Sequence, residues 1–305
     1  MSWIHAFELL CYILTGILLW DMVSRKDIGE LKLFLSGAIA GFALELLAVR
    51  VTDIYHYNPD FWLNIGRRPF QFPVFGGLMW GGLTVCSLRL ALRLGFGKVM
   101  TALVTGFLIV SMDLLLDVAA IRLDGGFWVW DGREINTVVN HHMFMSVIWV
   151  NFLGYLFETP AVAYLTLWSW ERKEESIGRK ILETLGIGLA GVAIVGAASG
   201  IALGLNALTD EWFACIAFIL LWGFILVRMI LQIMKNRGEL TFKGKKDWAL
   251  LVFWAAMYGY CLVSLLSLGV LQTVPWYGVL AVLLAAGTVL LSLTGGSFRI
   301  EGQTG

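Results

Sequence analysis

Charge is scarce in this chain. Asp, Glu, Lys and Arg together make up 14% of its 305 residues, where a soluble domain carries roughly 25%. With 59% hydrophobic residues and a mean hydropathy of +0.79, that deficit excludes an ordinary soluble domain and points to an integral membrane protein, multi-pass in the cell membrane. Cysteine is sparse as well. Cys11, Cys86, Cys215 and Cys261 stand singly inside apolar runs with no CxxC spacing, so neither a disulfide frame nor a zinc site is expected, and each reads as a small buried hydrophobe. Neither sign of charge is in excess, Lys+Arg and Asp+Glu both being 22, and no nucleic-acid partner is read from that balance. The four histidines (His5, His56, His141, His142) include one adjacent pair, poor spacing for two ligands on a helix, where i, i+4 is wanted. No metal and no cofactor is expected. The amino end lacks a short apolar segment followed by a small-residue cleavage site, so its first apolar run reads as a retained helix.

What fills the chain instead is long apolar runs. A spanning helix needs about 20 of them in sequence, and nine stretches qualify: about 4–23, 31–51, 71–92, 99–121, 143–169, 181–207, 212–234, 248–271 and 276–293. The predicted fold is therefore all-α and polytopic, with about nine transmembrane helices. Alternate connections divide the basic residues unequally. One set holds sixteen of the 22, from Arg25, Lys26 and Lys32 to Arg299, and the opposite set only Arg67, Arg68, Arg122 and Arg133. Basic loops stay cytoplasmic, which predicts the amino terminus outside and the carboxyl terminus in the cytoplasm.

Polarity divides the chain a second time. Residues 1–170 form a five-helix half whose helices carry Glu8, Glu45, Asp113, Asp117, Asn151 and Glu158. A charged linker, 171–180, leads to a four-helix apolar packing module, 181–294, and a short cytoplasmic tail, 295–305. The module is dense in glycine and alanine (GIGLAGVAIVGAASGIALG), a surface that lets helices approach closely; a homo-oligomer is left as an open alternative.

The candidate chemistry lies in the first half. Asp113 and Asp117, four apart, share one helix face. At 1.5 Å per residue, Glu45 lies roughly 9 Å inside the outer end of its helix, Asp113 and Asn151 roughly 12 Å and Asp117 roughly 6 Å. A carboxyl group in hydrocarbon is costly to ionise, and two neighbours make it costlier for one of them, which suits such a group to proton donation. The competing reading pairs each acid with a buried partner, for instance Glu45 or Asp117 with Arg50 or Arg122. That reading is favoured for Glu8 and Glu158. Tyr55, Tyr57, Trp62, Trp128 and Trp130 fit an interfacial aromatic belt or rings that stabilise a positive charge in a dry pocket. Trp80 and Trp149 lie deeper, where a belt explains less.

Three blocks resemble the carotenoid biosynthesis membrane-protein family, which includes the carotenoid 1,2-hydratases and bisanhydrobacterioruberin hydratase. They are ELLAVRVTDIYHY (Glu45, Tyr55, Tyr57); FPVFGGLMW (Pro73, Trp80); and DLLLDVAA with GGFWVWDG and WVNFLGYLFE (Asp113, Asp117, Trp128, Trp130, Asn151, Gly154). Val118 and Tyr155 depart from that pattern, standing where proline and tryptophan are expected. The resemblance implies a membrane enzyme that protonates a C=C bond of an apolar isoprenoid or carotenoid taken from the bilayer, with water capturing the tertiary cation. It implies Asp113 or Asp117 as the acid, with Glu45 and Asn151 orienting water or the neighbouring acid. Trp80, Trp128, Trp130, Tyr55 and Tyr57 would line the pocket. The alternatives are a terpene or polyketide cyclase using the same acid, a magnesium-dependent prenyltransferase, which the single DxxxD motif disfavours, and a non-enzymatic lipid-binding or transport protein.

Overall fold

A computed structural model of the chain describes residues 2–51, 55–130, 132, 134–172, 176–236, 242 and 246–294. The helices are α1 (Trp3–Ser24), α2 (Ile28–Val51), α3 (Val74–Leu92), α4 (Lys98–Ala120), α5 (Trp149–Ser169), α6 (Ile177–Leu208), α7 (Trp212–Lys235), α8 (Trp248–Ser267), the single turn α9 (Val270–Thr273) and α10 (Pro275–Leu293). Among the described residues, eight of these (α1–α4, α6–α8 and α10) are long and apolar enough to cross a membrane. The chain is thus a membrane-embedded helical protein. α5 differs from the nine-span expectation. It has 21 residues, but Asn151, Glu158, Thr159 and Pro160 interrupt its apolar run, and residues 143–148, expected within it, form a small hairpin of β5 (Met143–Phe144) and β6 (Val147–Ile148). The expected linker is shorter too, since residues 177–180 already belong to α6. The tail 295–305 lies outside the described residues, as do Arg133, Lys173, Arg237, Lys243, Lys245 and Arg299 of the connections used to set orientation.

α3 and α4 form the centre, each 78% buried across its most apolar stretch, against 28% for α6 and α7 at the periphery. α2 packs on α3 and α6, α4 on α3 and α5, and α8 on α1, α4 and α10. Glycine makes the α2–α3 contact possible. Gly37 and Gly41 on one helix and Gly77 and Gly81 on the other repeat at i, i+4, which lays a row of backbone along each facing surface. A Cβ at Gly41 would overlap Trp80, one at Gly77 would overlap Phe42, and one at Gly81 would come 2.5 Å from the Phe34 carbonyl oxygen. The glycine-rich α6, where close approach was expected, uses the device sparingly: Gly188 and Gly191 are packed tightly, while Gly178, Gly186, Gly196, Gly200 and Gly204 face open space.

The later helices are tied to the earlier ones by hydrogen bonds across the core. The Tyr277 hydroxyl donates to the Leu114 carbonyl at 2.8 Å, Trp222 Nε1 to Ser111 Oγ at 3.1 Å and the Tyr260 hydroxyl to the Trp3 carbonyl at 3.0 Å. Arg93 Nη1 donates to the carbonyls of Leu291, Ser292 and Thr294, satisfying acceptors that a helix end leaves unpaired.

Not all the basic residues at this end are the simple surface anchors that a count of lysine and arginine suggests. Arg89 is only 2% exposed. Its guanidinium meets both oxygens of Glu30 at 2.9 and 2.6 Å, Asp21 at 2.7 Å and Asp247 at 3.2 Å. One side chain on α3 thereby joins α1, α2 and the start of α8. Removing it takes from the buried Glu30 its bidentate partner and leaves it only the half-exposed Arg25, a loss approaching the ~3–5 kcal/mol of a broken buried pair. Arg89→Ala should therefore lower the unfolding temperature in detergent sharply. Arg89→Lys, which keeps the charge but not the planar fork, should recover only part of that loss.

Candidate functional site

Two short strands bring the two polar-aromatic loops together. β1 (Tyr55–Tyr57) pairs antiparallel with β4 (Trp128–Trp130), setting Tyr55 opposite Trp130 and Tyr57 opposite Trp128. Side chains alternate along a strand, so the tyrosines of YHY and the tryptophans of WVW share one face and His56 takes the other. The pairs touch, with ring centroids 4.5 Å apart for Tyr55–Trp130 and 5.9 Å for Tyr57–Trp128. This ribbon caps a cavity between α2, α3, α4 and α5.

The cavity holds about 70 Å³ and is lined by Glu45, Asp113, Asp117, Asn151, Tyr55, Tyr57, Tyr155, Trp80 and Trp128, with Phe7, Phe72, Phe75, Met79, Met112, Leu116 and Met257 among the apolar walls. At about 30 Å³ per water that is room for about two waters. Asp113 and Asp117 are both buried, one turn apart on α4. Two neighbouring buried carboxyls are costly to ionise together, which favours a proton on the pair. Asp117 has two donors, Trp128 Nε1 to Oδ1 at 3.0 Å and Asn151 Nδ2 to Oδ2 at 2.8 Å. Asp113 Oδ2 has no hydrogen-bond partner. The asymmetry fits charge on Asp117, where donors can stabilise it, and the proton on Asp113.

Glu45 sits across the cavity in an environment of neutral donors. The Tyr57 hydroxyl donates to its Oε2 at 2.8 Å and accepts from the Tyr55 hydroxyl at 2.8 Å. The Tyr155 hydroxyl stands 3.5 Å from its Oε1. Burial and the neighbouring Glu45 push the phenols of Tyr55 and Tyr57 well up from their ordinary range, which keeps both hydroxyls protonated as donors. Tyr155 packs edge-on against Trp80, centroids 4.7 Å apart, and Trp80 is seated by the missing side chain of Gly41.

The expected residues converge with specific exceptions. Glu45, Asp113, Asp117, Asn151, Tyr55, Tyr57, Trp80 and Trp128 all line the cavity, whereas Trp130 stands behind Tyr55 and walls a neighbouring one. Arg50 and Arg122 do not pair with the acids. Arg50 donates to the Leu46 carbonyl, and Arg122 to those of Val118, Asn136 and Met145. Glu8, expected to have a buried partner, has one in the backbone: it accepts from the N–H groups of Trp62 and Leu63 at 2.7 and 3.0 Å and from the Tyr12 hydroxyl at 3.1 Å. Glu158, expected to be paired, is buried with neither oxygen hydrogen-bonded. Tyr155 is the contributor that sequence reading passed over, one turn beyond Asn151 on the same face. Among the described residues no histidine, lysine or arginine lines the cavity, and no three His, Cys, Asp or Glu side chains are grouped to hold a metal ion.

No protein-family model, curated protein or solved structure matches this chain.

The two tryptophans of the ribbon should separate in mutation. Trp128→Phe keeps a ring but deletes a donor to Asp117, a hydrogen bond to a charged group worth about 1.5–3 kcal/mol. Trp130→Phe keeps the ring contact with Tyr55 and removes no hydrogen bond to the acids. Thermal unfolding in detergent should show a clear loss for the first variant and little change for the second.

Proposed function

We propose that this cavity is the active site of a membrane enzyme that protonates a C=C bond of an apolar isoprenoid, of the carotenoid class, and directs water onto the resulting tertiary cation. The observation that carries the reading is the composition of the lining: three carboxyl groups and a shell of aromatic rings, with no lysine, arginine or histidine beside them among the described residues. Such a site disfavours anionic ligands and favours positive charge, by carboxylate attraction and by ring faces worth up to about 2 kcal/mol each when desolvated. The resemblance of the Glu45, Asp113–Asp117 and Trp128–Asn151 blocks to the carotenoid biosynthesis family supports the same chemistry. The lysine and arginine bias of the connections, with the amino terminus outside, opens the site toward the outer face.

The cycle balances within these residues. The π pair of the double bond takes the proton of Asp113 to form a C–H bond, leaving a carboxylate and a tertiary cation. Trp128 and Asn151 hold Asp117 against Asp113, so the pair bears the new charge together. The cation lies among the rings of Trp80, Trp128 and Tyr155. A water oxygen beside Glu45 forms the C–O bond, and Glu45 takes the proton released. That proton returns to Asp113 through water in the cavity, so the net reaction adds one water to one alkene. In this reading Asp113 is the general acid, Glu45 the general base, and Asp117 and Asn151 position the acid.

Co-expression with an acyclic carotenoid pathway tests it, with the pigments resolved by chromatography and mass. The expected product is heavier by one water, and Asp113→Asn should abolish it while the protein still accumulates in the membrane with unchanged thermal stability. A product of unchanged mass would replace hydration by cyclisation. Unaltered pigments in the presence of folded protein would sink the assignment.

A further inference from the structure

The seam between α2 and α6 is closed in the middle and open at both ends. At its midpoint a Cβ on Gly188 would come 2.8 Å from Ile39 and 2.9 Å from the Ser36 carbonyl oxygen, and one on Gly191 2.6 Å from Val162. No chain passes there. The end nearer the ribbon widens into a second cavity of about 210 Å³, bounded by Leu44 and Ala48 of α2, Val150 and Gly154 of α5, and Ser199 and Leu203 of α6. Glu45, Tyr55, Asn151 and Tyr155 line this cavity and the acid cavity alike, so those four side chains are the partition between them. At the mouth, Leu203 is 56% exposed on the outer surface of α6, the surface that faces lipid in a membrane-embedded bundle.

We infer that this second cavity is the portal and chain-binding subsite of the enzyme, through which an uncharged acyclic polyisoprene chain enters sideways from the bilayer, with the Tyr155 ring as the barrier its reacting end must pass. The inference rests on the acid chemistry proposed above and adds what that chemistry leaves open, the route of the substrate and the place of its chain. Among the described residues no lysine, arginine or histidine lines this second cavity, so a diphosphate or other anionic headgroup has no partner here, beside Glu45. The larger groove at the other end of the seam, about 590 Å³, is the contrasting case: Lys32 and Lys180 stand among its apolar walls and it touches none of the acids. The outer cavity is the roomier of the two joined spaces, and the inner one closes on the carboxyls. A long chain can lie in the first and present only its tip to the second. Tyr155 is suited to the barrier because its hydroxyl contact with Glu45 is long, 3.5 Å, and its ring leans on Trp80 without being bonded to it.

The test uses the full-length protein in phosphatidylcholine vesicles and a C20 acyclic isoprenoid hydrocarbon carrying a diazirine. In the Asp113→Asn protein, which halts turnover, photolysis should place label on peptides covering 148–155 and 195–203. Leu203→Trp, at an exposed position that a larger side chain can occupy without repacking the core, should reduce that labelling severalfold. In the otherwise native enzyme the same change should raise KM for the long substrate about tenfold with kcat unchanged, the pattern of lost access rather than lost chemistry. Label spread evenly over α7 and α10, or collected at Ile28–Leu35 and Ile177–Leu185, would overturn the portal. So would hydration kinetics that Leu203→Trp and Ser199→Phe leave untouched. Concentrated portal labelling in a protein that hydrates nothing would instead uphold the subsite and overturn the reaction.

Discussion

Two buried carboxyl groups one helical turn apart are costly to ionise together. The Asp113–Asp117 pair is therefore the constraint that the rest of the cavity answers. Everything around it is arranged to make the arrangement tolerable. Trp128 and Asn151 donate to the oxygens of one partner, the other partner keeps an oxygen without a donor, and among the described residues no cation lines the cavity. Buried acids in membranes usually meet a basic partner. Here the usual solution is withheld, and neutral donors from a strand and a neighbouring helix take its place.

The rest of the molecule places opposite demands at opposite ends. Around Arg89, guanidinium and carboxylates are paired across α1, α2, α3 and α8, and the ends of the helices are locked together. Around Glu45 and the aspartates, acids are gathered without counter-charge and the walls are aromatic. The first arrangement stabilises the bundle; the second, with its acids gathered in a buried aromatic pocket, costs stability. The tight glycine contact between α2 and α3 runs between them, so the locked end and the acid end are carried by the same pair of helices.

The sequence told some of this directly. Asp113 and Asp117 announced a shared face by spacing alone, and Glu45, Asn151 and Trp80 joined them through depth and the family resemblance. The ribbon was not legible, because three-residue strands bury too little to leave a pattern that a search for long apolar runs detects; the alternations YHY and WVW were the available sign. Arg89 was miscounted as a surface anchor because a tally of basic residues by connection ignores which of them point inward. Glu158 was expected to be paired on general grounds of cost, and the structure leaves it buried among apolar neighbours without a hydrogen bond. Tyr155 was noticed only as a departure from a family pattern, and its reach to Glu45 depends on a helix crossing that spacing cannot reveal.

The ribbon also sets where this chain can change length. Tyr55 and Tyr57, like Trp128 and Trp130, face the cavity side because each pair is separated by one residue. A single insertion or deletion between either pair would turn one ring away from it and break the register of the partner strand. Neighbouring stretches carry pairings of their own: β2 (Asn64–Ile65) pairs antiparallel with β3 (Phe72–Pro73), and Val139 bridges to Phe144. Variation in loop length among any relatives of this protein should therefore accumulate in the turn 66–71 between β2 and β3 and stop abruptly at the ribbon.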